Sequence, residues 1–360
     1  LHISEWQVPP NANNEALRRG CQRLGWQYTV IERNVHGCAN LGYCGMGCPV
    51  NAKQSMLVTT LPTALERGAR LFHQTRAEAF ELDGDKVKAL LCAPIRINGQ
   101  KVSDQLMRVT ARHYVVSGGA INSPQLLMLS GIGPAAHLRE MGLPVVADLP
   151  GVGGNLSEHP RMMLMYRAKK PVTFINQLRF DKATLAFWQW ALLGKGPFAT
   201  QICSGTVLLK TRPELDRPDI QLLCNPVRFD AGLWFPGFVK PKEHSFYITV
   251  CLLHQKSRGR VSLRSTDPKD APRIALNLFS EPEDFETMRQ GLRAARDIYG
   301  MSPQADLIDA ETIPGSQVQT DEQIDQSIRE LGGITHHPVG TCAMGAFDAA
   351  FGPDHVAIRR

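Results

Sequence analysis

Residues 118–133, with the sequence GGAINSPQLLMLSGIG, decide the fold because a pair of glycines joins an apolar segment to a helix. The segment before them, His113–Ser117, predicts a short strand, and Ser123 with Pro124 predicts a helix that Ser123 caps. A strand, a glycine turn and a helix in this order are typical of a parallel α/β sheet. The glycines admit a ligand close to the backbone, and free helix N–H groups suit a phosphate. On spacing alone, a purely structural turn fits equally well.

The pattern changes to antiparallel β after residue 160. Turns rich in proline and glycine separate four strand-like runs, which are Gly205–Lys210, Asp219–Cys224, Phe246–Leu253 and Arg260–Arg264. Upstream, alternating runs at 77–82 and 87–91 predict a hairpin. Helices are predicted at 14–24 and 61–67, and after capping boxes that begin at Ser280 and Thr320.

The composition indicates a globular protein. Of 360 residues, 43% are hydrophobic and 21% charged, and the net charge of +6 is spread without a basic tract, so we expect no nucleic-acid partner. No apolar run reaches the roughly 20 residues of a membrane helix. The apolar stretch Leu185–Leu193 favours a core or domain-contact helix, with peripheral membrane contact as the less favoured alternative. Nine scattered cysteines favour a reducing compartment, so we expect a cytoplasmic protein, with contact to the inner membrane left open.

The loop at 37–55, GCANLGYCGMGCPVNAKQS, carries Cys38, Cys44 and Cys48. Three cysteines suggest a metal or iron–sulfur site, but a fourth nearby ligand and C-x-x-C repeats are missing. We therefore expect no metal, and a glycine-rich loop packed on a cofactor. A cysteine-centred electron-transfer module remains the alternative.

The segment at 334–345, ITHHPVGTCAMG, contains the candidate catalytic histidine. Pro338 biases His337 towards an extended backbone, and imidazole accepts a proton near neutral pH. On the pattern alone, His336 and His337 fit ordinary loop histidines just as well.

These blocks, in this order, resemble the glucose-methanol-choline (GMC) oxidoreductase family, and specifically its bacterial alcohol or choline dehydrogenase-like and long-chain alcohol oxidase-like members. Residues 118–133 resemble the second family signature, and GVGGNLSEHP at 151–160 resembles the segment after it, with Glu158 where the family usually carries Asp. Residues 258–284 resemble family scaffold. The resemblance implies an α/β fold of the FAD-linked GMC type, in which a partial nucleotide-binding domain with a parallel sheet joins a substrate domain with an antiparallel sheet.

The resemblance also implies a domain order and a set of site residues. The implied domains are 1–160 for FAD, 161–333 for the substrate, and 334–360 as a return to the FAD domain. His337 matches the family's catalytic histidine. The implied FAD-binding residues are Asn51, Ala52, Ser55, Ala77, Gly118, Gly119, Ala120 and Ser123.

The implied reaction is oxidation of the CH–OH group of a small alcohol, with hydride passing to FAD and His337 acting as base. Oxygen, a quinone and another carrier remain open as electron acceptors. The family's N-terminal GxGxxG is absent, its second His or Asn would fall beyond Arg360, and residues 347–360 fit its continuation poorly. With a start at Leu1, we expect both ends to be missing. An inactive fragment of such an enzyme and a non-redox FAD lyase are the alternatives.

Overall fold

The structure is a computed structural model that describes residues 2–5, 11–42, 44, 47–84, 86–103, 105–199, 203, 205–228, 230–301, 303 and 305–344. Seven α-helices lie within these ranges: α1 Ala12–Leu24, α2 Thr60–Glu66, α3 Gly119–Leu129, α4 Ala135–Glu140, α5 Phe180–Leu193, α6 Pro282–Met301 and α7 Asp321–Leu331. Short 3₁₀ turns occupy Phe174–Leu178, Pro197–Ala199 and Ala305–Leu307.

The strands of the described ranges are mostly short. They are β1 Ile3–Glu5, β2 Tyr28–Val30, β3 Glu32–Asn34, β4 Thr75–Asp83, β5 Lys86–Pro94, β6 Met107–Val109, β7 Ile132–Gly133, β8 Ala147–Asp148, β9 Pro160–Ala168, β10 Gly205–Leu209, β11 Ile220–Asn225, β12 Ser245–Leu252, β13 Arg260–Ser262, β14 Arg273–Ala275, β15 Ile308–Ile313 and β16 Gly333–Ile334.

The chain divides into two compact units. Unit 1 comprises residues 1–69, 160–254 and 282–333. Its main sheet is antiparallel, in the order β15–β9–β12–β11–β10–β2. The whole of β12, SFYITVCL, is buried, as expected for a central strand covered on both faces. Helices α1 and α6 pack against this sheet, and α1 ends at Gly25, whose φ of 69° favours glycine.

Unit 2 comprises residues 70–159, 255–281 and 334–360. It contains the antiparallel sheet β4–β5–β6, the parallel pair β7–β8 and the antiparallel pair β13–β14. Helix α3 lies on β4, where the Phe80 N–H donates to Ser130 Oγ over 2.8 Å. The core beside this contact consists of Phe80, Leu127, Met128, Ile132, Leu138, Val152 and Leu263.

Much of the predicted architecture is confirmed. The chain is mixed α/β, the hairpin is β4–β5, and the four predicted antiparallel strands are β10 to β13. The capping box of Thr320 with Gln323 opens α7. A parallel pair is formed by β7 and β8, two residues each. The turn that the sequence predicts between these two strands, Asp83-Gly84-Asp85, includes Asp85, which lies outside the described residues.

Two local predictions at the glycine turn are wrong. Residues 113–117 form no strand, because they have no hydrogen-bonded ladder partner among the described residues. Helix α3 begins at Gly119 rather than near Ser123, and Gly118 is its N-cap. Ser123 is therefore a buried helical residue and not a cap, and Pro124 lies inside the helix. The Ser123–Pro124 motif did not mark the start of the helix, because the chain enters α3 through Gly119, whose φ of 77° is a conformation that other residues rarely adopt.

The compact units group the chain differently from the predicted functional domains. Residues 1–69 belong with 160–254 and 282–333, whereas 255–281 belong with 70–159. The assignment of cofactor and substrate roles to the predicted ranges stays a prediction. In the described ranges, no helix is both long and apolar enough to cross a bilayer.

Candidate active site

The backbone of His337 is held in unit 2 by a buried carboxylate. Glu158 is 3% exposed, and its Oε1 accepts the His337 N–H over 2.8 Å and the Thr335 hydroxyl over 3.2 Å. The N–H of Val339 donates to Ser157 O over 2.9 Å, and the Ser157 N–H returns the same bond to Val339 O. The histidine segment is thus fixed on both sides of Pro338 while the His337 side chain stays exposed.

The same contacts favour one tautomer of the His337 ring. Thr335 Oγ lies 3.3 Å from His337 Nδ1. The Thr335 hydroxyl has one proton and two oxygen acceptors within reach, Glu158 Oε1 at 3.2 Å and His159 O at 3.3 Å. When it donates to either of them, its oxygen can accept from Nδ1–H. In that tautomer of a neutral imidazole, Nε2 is the acceptor nitrogen.

A second histidine lies beside the first. The His159 ring meets the His337 ring edge to face, with centroids 5.7 Å apart. His159 Nδ1 is 3.3 Å from Gln255 Oε1, and Gln255 Nε2 donates to Ser157 Oγ over 2.6 Å. Since the amide nitrogen of Gln255 is the donor to Ser157, its oxygen accepts from His159. The two imidazoles are therefore each oriented by a neutral side chain.

The histidine segment is also tied to the glycine turn. Pro124 has no N–H, so within α3 the carbonyl of Ala120, four residues earlier, loses its helical partner. The Thr341 hydroxyl donates to that carbonyl over 2.6 Å, and Thr341 is 1% exposed. Pro124 of the glycine-turn motif therefore leaves Ala120 O as an acceptor for Thr341 of the histidine segment. His337 lies four residues from Thr341.

A cavity of about 410 Å³ borders the glycine turn in unit 2. Its lining includes Ala77 of β4 and Gly118, together with Arg76, Tyr114, Ser117 and Asn122. Gly119 has φ of 77°, a conformation that favours glycine, and a Cβ on Gly118 would lie 3.2 Å from Ser123 N. The free N–H groups of the first turn of α3 add donors at this end. The cavity is large enough for the adenosine portion of a dinucleotide.

The other predicted cofactor residues, Asn51, Ala52 and Ser55, lie in unit 1. Asn51 adopts a left-handed backbone with φ of 53°, and its N–H donates to Cys48 O over 3.1 Å. Ala52 is 4% exposed, and its carbonyl accepts from His36 N over 2.8 Å. Ser55 is exposed, and its carbonyl accepts from Thr59. The three residues thus form one ordered loop.

Unit 1 also contains a cavity of about 1070 Å³. Its wall is mainly apolar, with amide and hydroxyl groups as the polar contribution, and no carboxylate appears among its described lining residues. Lys195 is the cation of that set. The polar members of the lining are Asn11, Asn13, Asn40, Thr173, Gln177 and Lys195.

The cysteine loop contains three free thiols where the structure describes it. Backbone N–H groups, foremost that of Lys53, lower the pKa of the Cys48 thiol. Within the described part of the chain, no group of three or more His, Cys, Asp and Glu side chains is arranged to hold a metal ion. Residues 43, 45 and 46 of this loop lie outside that part.

Comparison with known families fits this geometry. The model of the N-terminal domain of the GMC oxidoreductases matches residues 1–161, and that of the C-terminal domain matches residues 255–350. The chain belongs to the GMC oxidoreductase family. The two matches include the glycine turn, Glu158 and the histidine segment.

Among the curated relatives of this GMC oxidoreductase are oxygen-dependent choline dehydrogenases. That of Rhizobium meliloti (strain 1021) is 41% identical over 237 residues, which are 66% of this chain and 42% of the relative. That of Brucella canis is 39% identical over 238 residues, with the same coverage. The alignment thus spans less than half of each relative's length.

Solved structures share the fold at lower identity. An FAD-dependent oxidoreductase from Chaetomium thermophilum superposes with a TM-score of 0.78 at 18% identity, covering 97% of this chain and 65% of that one. Pyridoxine 4-oxidase from Mesorbium loti gives a TM-score of 0.73 at 22% identity, covering 98% and 63%. At these identities the likeness concerns the fold alone.

Sequence reasoning missed the residues that orient His337, namely Glu158 as a carboxylate anchor, Thr335, His159 and Gln255. The Thr341 link does have a sequence signal, because a proline beyond the first turn of a helix leaves one carbonyl without its helical partner. The prediction that α3 begins beside Pro124 hides this signal, because a proline in the first turn leaves no carbonyl unpaired. The site segment also includes Gly345, which lies outside the described residues.

Proposed function

We propose that this GMC oxidoreductase is an FAD-dependent enzyme that oxidises the CH–OH group of a small alcohol, with His337 as the base. The observation that carries the proposal is the hydrogen-bonded frame of Glu158 and Thr335 around His337, which supports the tautomer whose Nε2 accepts a proton. Family membership and the cavity at the glycine turn support the cofactor.

Unit 2 holds the nucleotide half of FAD. Ala77 and Gly118 line the cavity for adenosine, while Gly119 and Ala120 begin the helix whose N–H groups face anionic oxygens. Asn51, Ala52 and Ser55 of unit 1 contact the flavin half. FAD, when bound, supplies the acceptor for the hydride of the carbinol carbon. Ser123 supports the turn from within α3.

The protein's own contribution is to position the alcohol and accept its proton. His337 Nε2 takes the hydroxyl proton as the hydride leaves, and Thr335 Oγ keeps Nδ1 protonated. Glu158, fixed to the backbone N–H of His337, prevents the ring from moving away with its segment. The apolar lining of the cavity in unit 1 supports its use as the binding region for the carbon chain of the alcohol. The name of the relatives favours oxygen as the electron acceptor.

The test is anaerobic reduction of the FAD-loaded protein by alcohols, followed by the loss of flavin absorbance. His337→Ala should slow reduction by about 10²- to 10⁴-fold, the usual value of general-base catalysis. His336→Asn is the matched control, because His336 has φ of 64° and asparagine tolerates this conformation. The control should reduce at the parent rate. Equal rates for His337→Ala and the parent would remove His337 from the mechanism.

A further inference from the structure

Helix α5 of unit 1 exposes apolar side chains on its outer face. Leu185 is 70%, Trp188 55% and Leu192 74% exposed. The described helix buries only Ala183 and Ala186. A 14-residue helix that is apolar on nearly all sides, yet buries two alanines, leaves most of its apolar surface in contact with water. The helix, which the sequence predicts to lie in the core or at a domain contact, is therefore largely exposed.

A neighbouring loop extends this apolar surface. Leu233 is 57% and Phe238 93% exposed, so the loop at 233–239, like α5, exposes large apolar side chains. The ring of Phe180, the first residue of α5, stacks on Phe235 with centroids 4.7 Å apart. The Phe180 N–H also donates to Trp234 O over 2.9 Å. The 233–239 loop thus contacts the start of α5, and we call the exposed apolar side chains of α5 and of this loop the apolar patch.

Three lysines adjoin the apolar patch along the chain: Lys182 within α5, Lys195 just after it and Lys240 just after the 233–239 loop. All three are exposed, and none has an ion-pair partner within the described part of the chain. The acidic residues nearby are already neutralised, since Asp181 pairs with Arg179 over 2.6 Å and Asp230 pairs with Arg228 over 2.8 Å. The rim of the patch is therefore positive, which makes it complementary to an anionic surface.

We propose that the apolar patch docks onto an anionic lipid bilayer, with α5 lying in the headgroup region. At about 21 Å the helix is too short to span a bilayer, but it has the features of an interfacial helix. Trp188 suits the boundary between headgroups and hydrocarbon, and leucines on the same face enter the acyl region. Each lysine at the rim adds electrostatic attraction to anionic headgroups.

The end of α5 connects the apolar patch with the cavity of unit 1. Leu193, at the end of α5, and the residues up to Pro197 also line the 1070 Å³ cavity of unit 1. If the proposed oxidation holds, a docked protein receives apolar alcohols directly from the lipid phase. The docking itself does not depend on that reaction, because its measurement needs no turnover.

The experiment is flotation of the full FAD-loaded protein with two kinds of vesicle, phosphatidylcholine alone and phosphatidylcholine with about 30% phosphatidylserine. The protein should float with the anionic vesicles, and high salt should reduce binding. Trp188→Ser with Leu192→Gln should weaken binding at least about tenfold, because two buried apolar side chains are lost. Lys182→Glu with Lys240→Glu should weaken binding to the anionic vesicles in particular.

The matched control is Leu71→Gln with Ile97→Gln, two exposed apolar positions of unit 2, at 55% and 93% exposure. The control should bind like the parent, and circular dichroism should report folded protein for every variant. Failure of the parent to float overturns the proposal, as does equal binding by patch and control variants. A dimer that the patch variants dissociate, with vesicle binding unchanged, would assign the patch to a second copy of the chain and also overturn it.

Discussion

At the residue scale, a single missing N–H decides how the two motifs of the site meet. Pro124 cannot donate to Ala120 O, and the Thr341 hydroxyl takes that place over 2.6 Å. The hydroxyl is buried, so its loss leaves an acceptor without a donor in a place that water hardly reaches. The proline and the threonine, 217 positions apart in the numbering of the chain, are therefore expected to depend on one another.

This dependence predicts the outcome of a double-mutant cycle. Thr341→Val should lower the free energy of unfolding by about 1–2 kcal/mol, measured by urea denaturation. In a Pro124→Ala background the new N–H can bond Ala120 O, so the same substitution should cost less than half as much. Thr206→Val is the control, because its buried hydroxyl donates to Leu222 O over 3.2 Å far along the chain from Pro124. An unchanged cost of Thr341→Val in both backgrounds would contradict the link.

At the element scale, strand β4 positions one wall of the unit 2 cavity through a β-bulge. The register shifts between Ala77 and Ala79, so Glu78 is the extra residue of the bulge. Its side chain is 7% exposed and pairs with Arg76 over 2.7 Å and Lys101 over 2.8 Å. Arg76 lines the cavity, so the bulge fixes both the carboxylate and the cavity wall.

The bulge predicts a pH dependence of stability. Burial disfavours the charged Glu78, but hydrogen bonds from Lys101 and Arg76 outweigh it and lower the pKa of this carboxyl. A lowered folded-state pKa stabilises the protein above the ordinary value near 4.5, and this stabilisation is lost as the pH falls through the folded-state pKa. Glu78→Gln should cost about 1–3 kcal/mol at pH 7 and progressively less at acid pH. The measurement is urea unfolding at several pH values.

A control for this prediction lies on the same strand. Glu81 pairs with Arg108 over 2.6 Å, but both side chains are largely exposed. Because exposed ion pairs contribute little to stability, Glu81→Gln should change unfolding far less than Glu78→Gln at every pH. A larger effect at Glu81, or a Glu78→Gln cost that does not shrink at low pH, would show that the pair is not the source of the stabilisation.

The elements that sequence patterns predicted well are those whose signals are local. Alternation and turn residues predicted β10 to β13, and Thr320 with Gln323 predicted α7. The strand β9 was not predicted, because PRMMLMYRA has no clean alternation, although it pairs with both β12 and β15. The frame around His337 was equally hidden, since Glu158 and His337 are 179 positions apart and only the fold makes them neighbours.

At the scale of the whole molecule, the lining of the cavity in unit 1 bears on the choice between charged and uncharged alcohols. The relatives are named choline dehydrogenases, and choline carries a permanent positive charge. Among the described residues that line the cavity none is a carboxylate, and Lys195 is itself a cation. A quaternary ammonium needs an acidic partner or a cage of aromatic rings. The described lining has two aromatic residues, Phe174 and Phe246, and Phe246 is only 3% exposed, so the lining provides no such cage.

We therefore expect the FAD-loaded protein to prefer an uncharged alcohol over choline. The sharpest comparison uses 3,3-dimethylbutan-1-ol, which has the shape of choline without its charge. Its kcat/KM should exceed that of choline by about a hundredfold, because the cavity would desolvate the cation without pairing it. Gln177→Glu places a carboxylate in the lining and should narrow the difference, whereas Gln326→Glu, on α7 outside the lining, should not. A preference for choline in the parent protein would locate its recognition in residues outside this cavity. Turnover of neither alcohol would instead count against the proposed oxidation itself.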